Sequence, residues 1–243
     1  MSKGVEIAMH RRILLSGGAF AAITVSVTFL VAGQQTEKRI EVEREFAVDP
    51  VVVTAVTRGN STIECGLPTG NGQVQPVTPF QAGTDWLQNT TVQLYNQTDK
   101  TISFLQLTLV FPETGSGTQQ SPLRISNINL GRIPTSAAYS GRTGKEIPQD
   151  PNTRALSLKG HDTLLVDLGA YIKGIRESID NVSFESISKC EIRRSVVYFE
   201  DGMKWAGGGY SQLDPKQPGK FYIMPKGYFP GDRAPMWPGE RKR

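Results

Sequence analysis

Histidine and cysteine are scarce, and their scarcity removes several chemistries at once. Of 243 residues only two are histidine, His10 and His161, and two are cysteine, Cys65 and Cys190. A zinc centre with nitrogen and sulfur ligands draws three or four such side chains together. Here it would need His161, both cysteines and a carboxylate to converge. A Ser-His-Asp relay would also rest on His161 alone, and no Gly-x-Ser-x-Gly turn is present to expose a nucleophile. The setting Lys159-Gly160-His161-Asp162 instead reads as an exposed loop. Gly207-Gly208-Gly209 lacks the Lys-Ser/Thr and the following helix that make a phosphate cradle. Glu200 and Asp201 are adjacent carboxylates, but neighbouring strand residues point to opposite faces, so they do not aim at one substrate. No cofactor, metal or catalytic residue is therefore expected.

A basic stripe is missing too. The chain has 27 basic and 23 acidic residues, a net charge of +4. Lys3, Arg11, Arg12 and Glu6 precede an apolar run, and the rest carries only +2. The basic residues are scattered without interleaved aromatics, which argues against nucleic acid as a partner. No internal repeat of the solenoid kind is found.

What is present begins with that apolar run. Residues 13–32 contain no charge and follow Arg11-Arg12. Twenty residues at about 1.5 Å each match the ~30 Å core of a bilayer. Small residues Val31-Ala32-Gly33 also offer a peptidase site. Residues 1–33 are thus a retained single-pass anchor or a cleaved signal peptide, and either way the membrane is the first expected partner. Lys38, Arg39 and Arg44 tie the positive-inside count. The closer basic flank places the bulk of the chain outside the cytoplasm, membrane-anchored or secreted.

Residues 34–49 read as a linker and residues 50–205 as one β domain. Val51-Val52-Val53 opens it with a β-branched strand. Residues 58–85, rich in Gly, Pro and Asn, read as a long loop. Thr91-Val92-Gln93-Leu94-Tyr95 alternates in period 2, Asn96 to Lys100 supplies turn chemistry, and Leu105, Leu107, Leu109 and Phe111 alternate again. Further strands are expected at 123–130, 155–158, 163–168, 183–187 and 192–199. Leu168, Ile172, Ile175 and Ile179 mark one face of a short helix. Asp201-Gly202 predicts a type I′ hairpin before Trp205. Residues 206–243, broken by six prolines, read as an extended arm.

Many short strands, Gly/Pro-rich connections and one helix predict an all-β, antiparallel β-sandwich. The strand–turn–strand over 92–111, ending Phe-Pro-Glu, resembles the central hairpin of bacterial extracellular immunoglobulin-like domains. Val197-Tyr198-Phe199-Glu200-Asp201-Gly202 with Trp205 is similar to a closing hairpin in uncharacterised exported bacterial proteins. The resemblance implies an immunoglobulin-like fold and an exported compartment, and no residue role. An even cysteine count in an exported chain leads us to expect a Cys65–Cys190 disulfide. Phe221, Tyr222, Tyr228, Phe229 and Trp237 either contact a partner, protein or glycan, or pin the arm to the domain. Sequons occur at Asn60, Asn89, Asn96 and Asn181. The expected function is a non-enzymatic interaction or structural module of the cell envelope; the alternative is an exported hydrolase or carbohydrate-binding protein acting on glycans.

Overall fold

The computed structural model describes residues 35–43, 46, 48–65, 76–84, 86–115, 123–138, 145–149, 151, 153–179, 182, 184 and 186–231. The apolar run 13–32, Trp237 and Asn181 lie outside the described residues. No described helix is long and apolar enough to cross a membrane.

The described chain is all-β with one short helix. Its strands are β1 (Thr36–Val42), β2 (Val51–Arg58), β3 (Ser61–Ile63), β4 (Phe80–Ala82), β5 (Thr90–Asn96), β6 (Ile102–Phe111), β7 (Arg124–Gly131) and β8 (Thr163–Asp167). After helix α1 (Ile172–Ile179) come β9 (Lys189–Phe199), β10 (Met203–Ala206), β11 (Gly209–Leu213) and β12 (Phe221–Ile223). Four strands form a small antiparallel sheet in the order β3-β2-β5-β8. The other eight form a large sheet around β9. One edge of β9 pairs with β6, and β6 with β7. Its other edge forks: residues 189–192 pair in parallel with β1, and residues 196–198 pair antiparallel with β10. From the fork, β1 leads to β4, and β10 leads to β11 and β12.

Period 2 explains the core between the sheets. Val92 and Leu94 of β5 and Leu105, Leu107, Leu109 and Phe111 of β6 are fully buried. They join Val51, Val53 and Val56 of β2, Ile192 and Val197 of β9, and Trp86 and Trp205 in one continuous cluster. Each such side chain removed from water stabilises the fold by about 1.5–3 kcal/mol. Leu168, Ile175 and Ile179 are buried on one face of α1 and the turn before it, at the predicted spacing. A second, smaller cluster of Phe104, Ala137, Tyr198 and Leu213 lies apart from the first.

Several sequence expectations are corrected. The stretch read as a linker holds β1, whose inward positions are Lys38, Ile40 and Val42. Its outward residues Arg39, Glu41 and the following Glu43 meet Lys189, Glu191 and Arg193 of β9, with ion pairs of 2.6–2.9 Å at Lys189–Glu41, Lys189–Glu191, Arg193–Glu191 and Arg193–Glu43. Two of these pairs, Lys189–Glu41 and Arg193–Glu43, cross between the strands, and this run of charges made the segment read as solvated. The stretch read as a loop contains β3 and β4. Residues 155–158 contribute only a bridge of Leu158 to Ile102, and no described residue of 183–187 is in a strand. The arm carries β11 and β12 in register with the sheet. The hairpin after β9 is not type I′, since neither Glu200 nor Asp201 has a positive φ. Gly202 donates its N–H to the Phe199 carbonyl at 3.1 Å and takes φ +81° itself. That is a type I turn closed by a glycine bulge.

The chain crosses from the large sheet to the small one between β1 and β2. There Asp49 is buried and accepts from Arg194 Nη2 at 2.5 Å; their side chains are 1% and 3% exposed. Gln97 donates to the Asp49 carbonyl, and Tyr210 donates its hydroxyl to the Val48 carbonyl at 2.9 Å. Arg194 lies in β9 between the two arms of the fork.

Candidate functional site

The disulfide expectation is corrected first. Cys65 and Cys190 are both buried free thiols. Cys65 turns its Sγ to the Ile63 carbonyl at 3.3 Å, and both cysteines belong to the apolar core. Burial pushes the Cys65 thiol up to about 12, and burial, then the charge of Glu191 and the neighbouring Cys65, push Cys190 higher still. Both act as small apolar side chains with little thiolate at neutral pH.

His161 lies in its loop with a left-handed φ of +65°, unique among the described non-glycine residues. Its backbone N–H donates to the Asn96 carbonyl at 2.9 Å. Its Nε2 sits 2.6 Å from Asp99 Oδ1 and its Nδ1 3.1 Å from the Tyr95 hydroxyl. Both ring nitrogens are therefore engaged in holding the loop. Asn96 shares this work: its buried amide donates to the carbonyls of Lys100, Leu158 and Lys159, and its oxygen accepts from Thr98. The Asn96 sequon is thus a packed structural unit, whereas Asn60 and Asn89 are exposed.

The arm aromatics divide. Phe221 packs on Tyr198 with ring centroids 6.3 Å apart. Tyr228 and Phe229 meet Tyr210 edge-on at 5.7 and 6.4 Å. Tyr222 is 52% exposed and donates its hydroxyl to Asp214 at 2.6 Å. The four do not share one surface row: three pack inward, and one stands in solvent.

Two concave regions of the described residues bear on binding. One, about 640 Å³, lies between the edge strands of the two sheets, β7 and β8. Leu130 and Gly131 form one wall, Leu164 to Asp167 the other, with Leu156 and Tyr171 between them. Burial raises the Tyr171 hydroxyl above its ordinary value. Leu165, on the β8 edge, is 65% exposed. No strand of the described residues pairs with the outer edge of β8, so this edge offers free backbone donors and acceptors.

No family model, curated protein or solved structure matches this chain. The geometry of its surface is what bears on function.

The other region is a pair of hollows at the end of the small sheet, about 400 and 410 Å³, with Arg58 lining both. The first is walled by Gln88, Asn89, Thr91 and Asp167. The register brings these together: Arg58 stands opposite Thr90 in β5, and Thr91 opposite Asp167 in β8. Gly59 bonds to the Asn89 carbonyl at 3.0 Å, closing the end of the sheet. The second hollow adds Ser61, Thr78 and Phe80. Sequence reasoning missed this group, because its members come from three strand ends with no shared spacing. Its one signal was composition, an arginine and amides flanking turn residues.

Proposed function

We propose that this chain is a non-enzymatic interaction module of the cell envelope, built on an immunoglobulin-like sandwich. Seven strands support that fold reading. The first, second and fifth of them (β2, β5, β8) share one sheet, and the third, fourth, sixth and seventh (β6, β7, β9, β10) share the other. This is an immunoglobulin-like division of strands. The apolar run 13–32 supports export and tethering of the domain outside the cytoplasm. The observation that carries the interaction reading is the β7–β8 groove. An extended segment of a partner protein laid along β8 gains main-chain hydrogen bonds from the free edge and apolar contacts from Leu130, Leu156, Leu164 and Tyr171.

A photo-crosslinking residue in place of Leu165, in cells that make the protein, tests this. The expected result is one discrete crosslinked species that a probe at exposed Lys216 does not give. Equal, diffuse labelling from both positions refutes the groove as a docking edge.

A second reading, glycan binding, is favoured by the polar hollows at Arg58. Amide, hydroxyl and carboxylate side chains converge there on an open surface, as sugar hydroxyls require.

A further inference from the structure

We infer that Arg58 is the recognition residue of a site for a carboxylated sugar, the acidic unit of an anionic polysaccharide. The inference rests on the glycan reading and names its substrate class.

Arg58 is positioned but unsatisfied. Its guanidinium lies over the Phe80 ring, with Cζ 5.8 Å from the centroid. That contact uses no N–H. No carboxylate among the described residues lies within ion-pair distance of it, and its Nε is shielded from solvent without an acceptor. Buried donors are normally paired. The terminal N–H groups, which no carboxylate or carbonyl of the described residues engages, form a fork that matches the two oxygens of one incoming carboxylate.

The remaining walls select the rest of the ligand. Gln88 and Asn89 offer amide donors and acceptors, Thr91 a hydroxyl. Asp167 gives one oxygen to the Gly169 N–H at 2.9 Å, leaving the other to accept from a ligand hydroxyl. Vicinal sugar hydroxyls donate and accept at once, which suits such a mixed set. A polyphosphate fits poorly: among the described residues Arg58 is the one cation on these walls, and Asp167 and Glu64 stand beside it. A singly charged group on a hydroxylated ring fits both charge and polarity. Gly59 leaves the mouth open, since a Cβ there would meet nothing within 4 Å. Because Arg58 lines both hollows, a second sugar can rest against Pro79 and Phe80, an apolar surface of the kind pyranose faces pack on.

The test is titration of the full chain with trigalacturonate and with neutral galactotriose, read by calorimetry and by the Arg58 Nε–H resonance. Trigalacturonate should bind at least tenfold tighter than galactotriose and shift that resonance. Arg58→Gln should lose at least tenfold, with Arg58→Lys between. Thr91→Val, which leaves Arg58 in place, should weaken binding severalfold and serves as the second variant if Arg58→Gln does not fold. Equal binding of the acidic and neutral trisaccharides overturns the role of Arg58 while leaving the glycan reading standing. Binding of neither trisaccharide overturns both. Equal affinity for triglutamate would show that the site reads a carboxylate without a sugar, and refutes the inference.

Discussion

Replacing Asp49 with Asn should destabilise the protein sharply, because it leaves the Arg194 charge buried without a counter-charge. The pair lies where the chain crosses between sheets, with both side chains 3% exposed or less. Removing one partner of such a pair costs about 3–5 kcal/mol. For a domain of this size, 1 kcal/mol moves the thermal midpoint by roughly 2–4 °C, so the midpoint should fall by about 6–20 °C. Arg194→Met should also destabilise the protein, by removing the Arg194 charge from the buried Asp49 carboxylate. The double variant decides the matter. With no charge left to strand, its cost should fall at least about 2 kcal/mol below the sum of the two singles, a coupling well outside ordinary additivity. Urea melts of the four proteins supply the cycle. Single costs under about 1 kcal/mol, or a double variant additive within about 0.5 kcal/mol, would falsify the view that these charges are desolvated and depend on each other.

Other expectations follow from the same contacts. Leu107 is fully buried in β6, so Leu107→Ala should cost about 2–5 kcal/mol; an unchanged thermal midpoint contradicts its place in the core. Cys65 and Cys190 should resist a thiol reagent in the native protein and both react in denaturant, and a mass two units below the reduced value would reveal a disulfide instead. Burial of Glu113 opposes its ionisation, but hydrogen bonds from the Ser188 hydroxyl and the N–H groups of Ser188 and Lys189 outweigh it and hold the carboxyl below its ordinary range. Its folded value lies below its unfolded one. Its stabilisation is therefore complete above about pH 4.3, the unfolded value, and is lost as pH falls through the folded one. Glu113→Gln should flatten the acid limb of a stability–pH curve, and an unaltered limb argues against these hydrogen bonds.

Much of the fold was legible in the sequence because β5 alternates strictly, β6 and β9 alternate over part of their length, and α1 repeats its apolar residues at helical spacing. The reading failed where pairing, not pattern, makes the strand. β1 is marked by outward charges whose partners include residues far along the chain, as Glu41 with Lys189 and Glu43 with Arg193 illustrate. β3 and β4 are three residues each, too short to show a period. Lys38 faces inward and spoils the alternation of β1, yet it is satisfied there by the Ile187 carbonyl at 2.7 Å. The cysteines misled because an even count says nothing about where Sγ atoms point. Arg58 was invisible as a site residue because its neighbours are set by register across β2, β5 and β8.

The fork on β9 has a mechanical consequence. β1 runs parallel to β9 over four registered residues and is buttressed by cross-strand charges. Tension applied at the chain's N-terminal side and directed along the strand axis loads those hydrogen bonds in shear, so they must give way together. The β9–β10 hairpin on the same edge, pulled open from its free end, would unzip bond by bond. A single strand edge thus offers two mechanical responses, and the stiffer belongs to the first strand of the described residues.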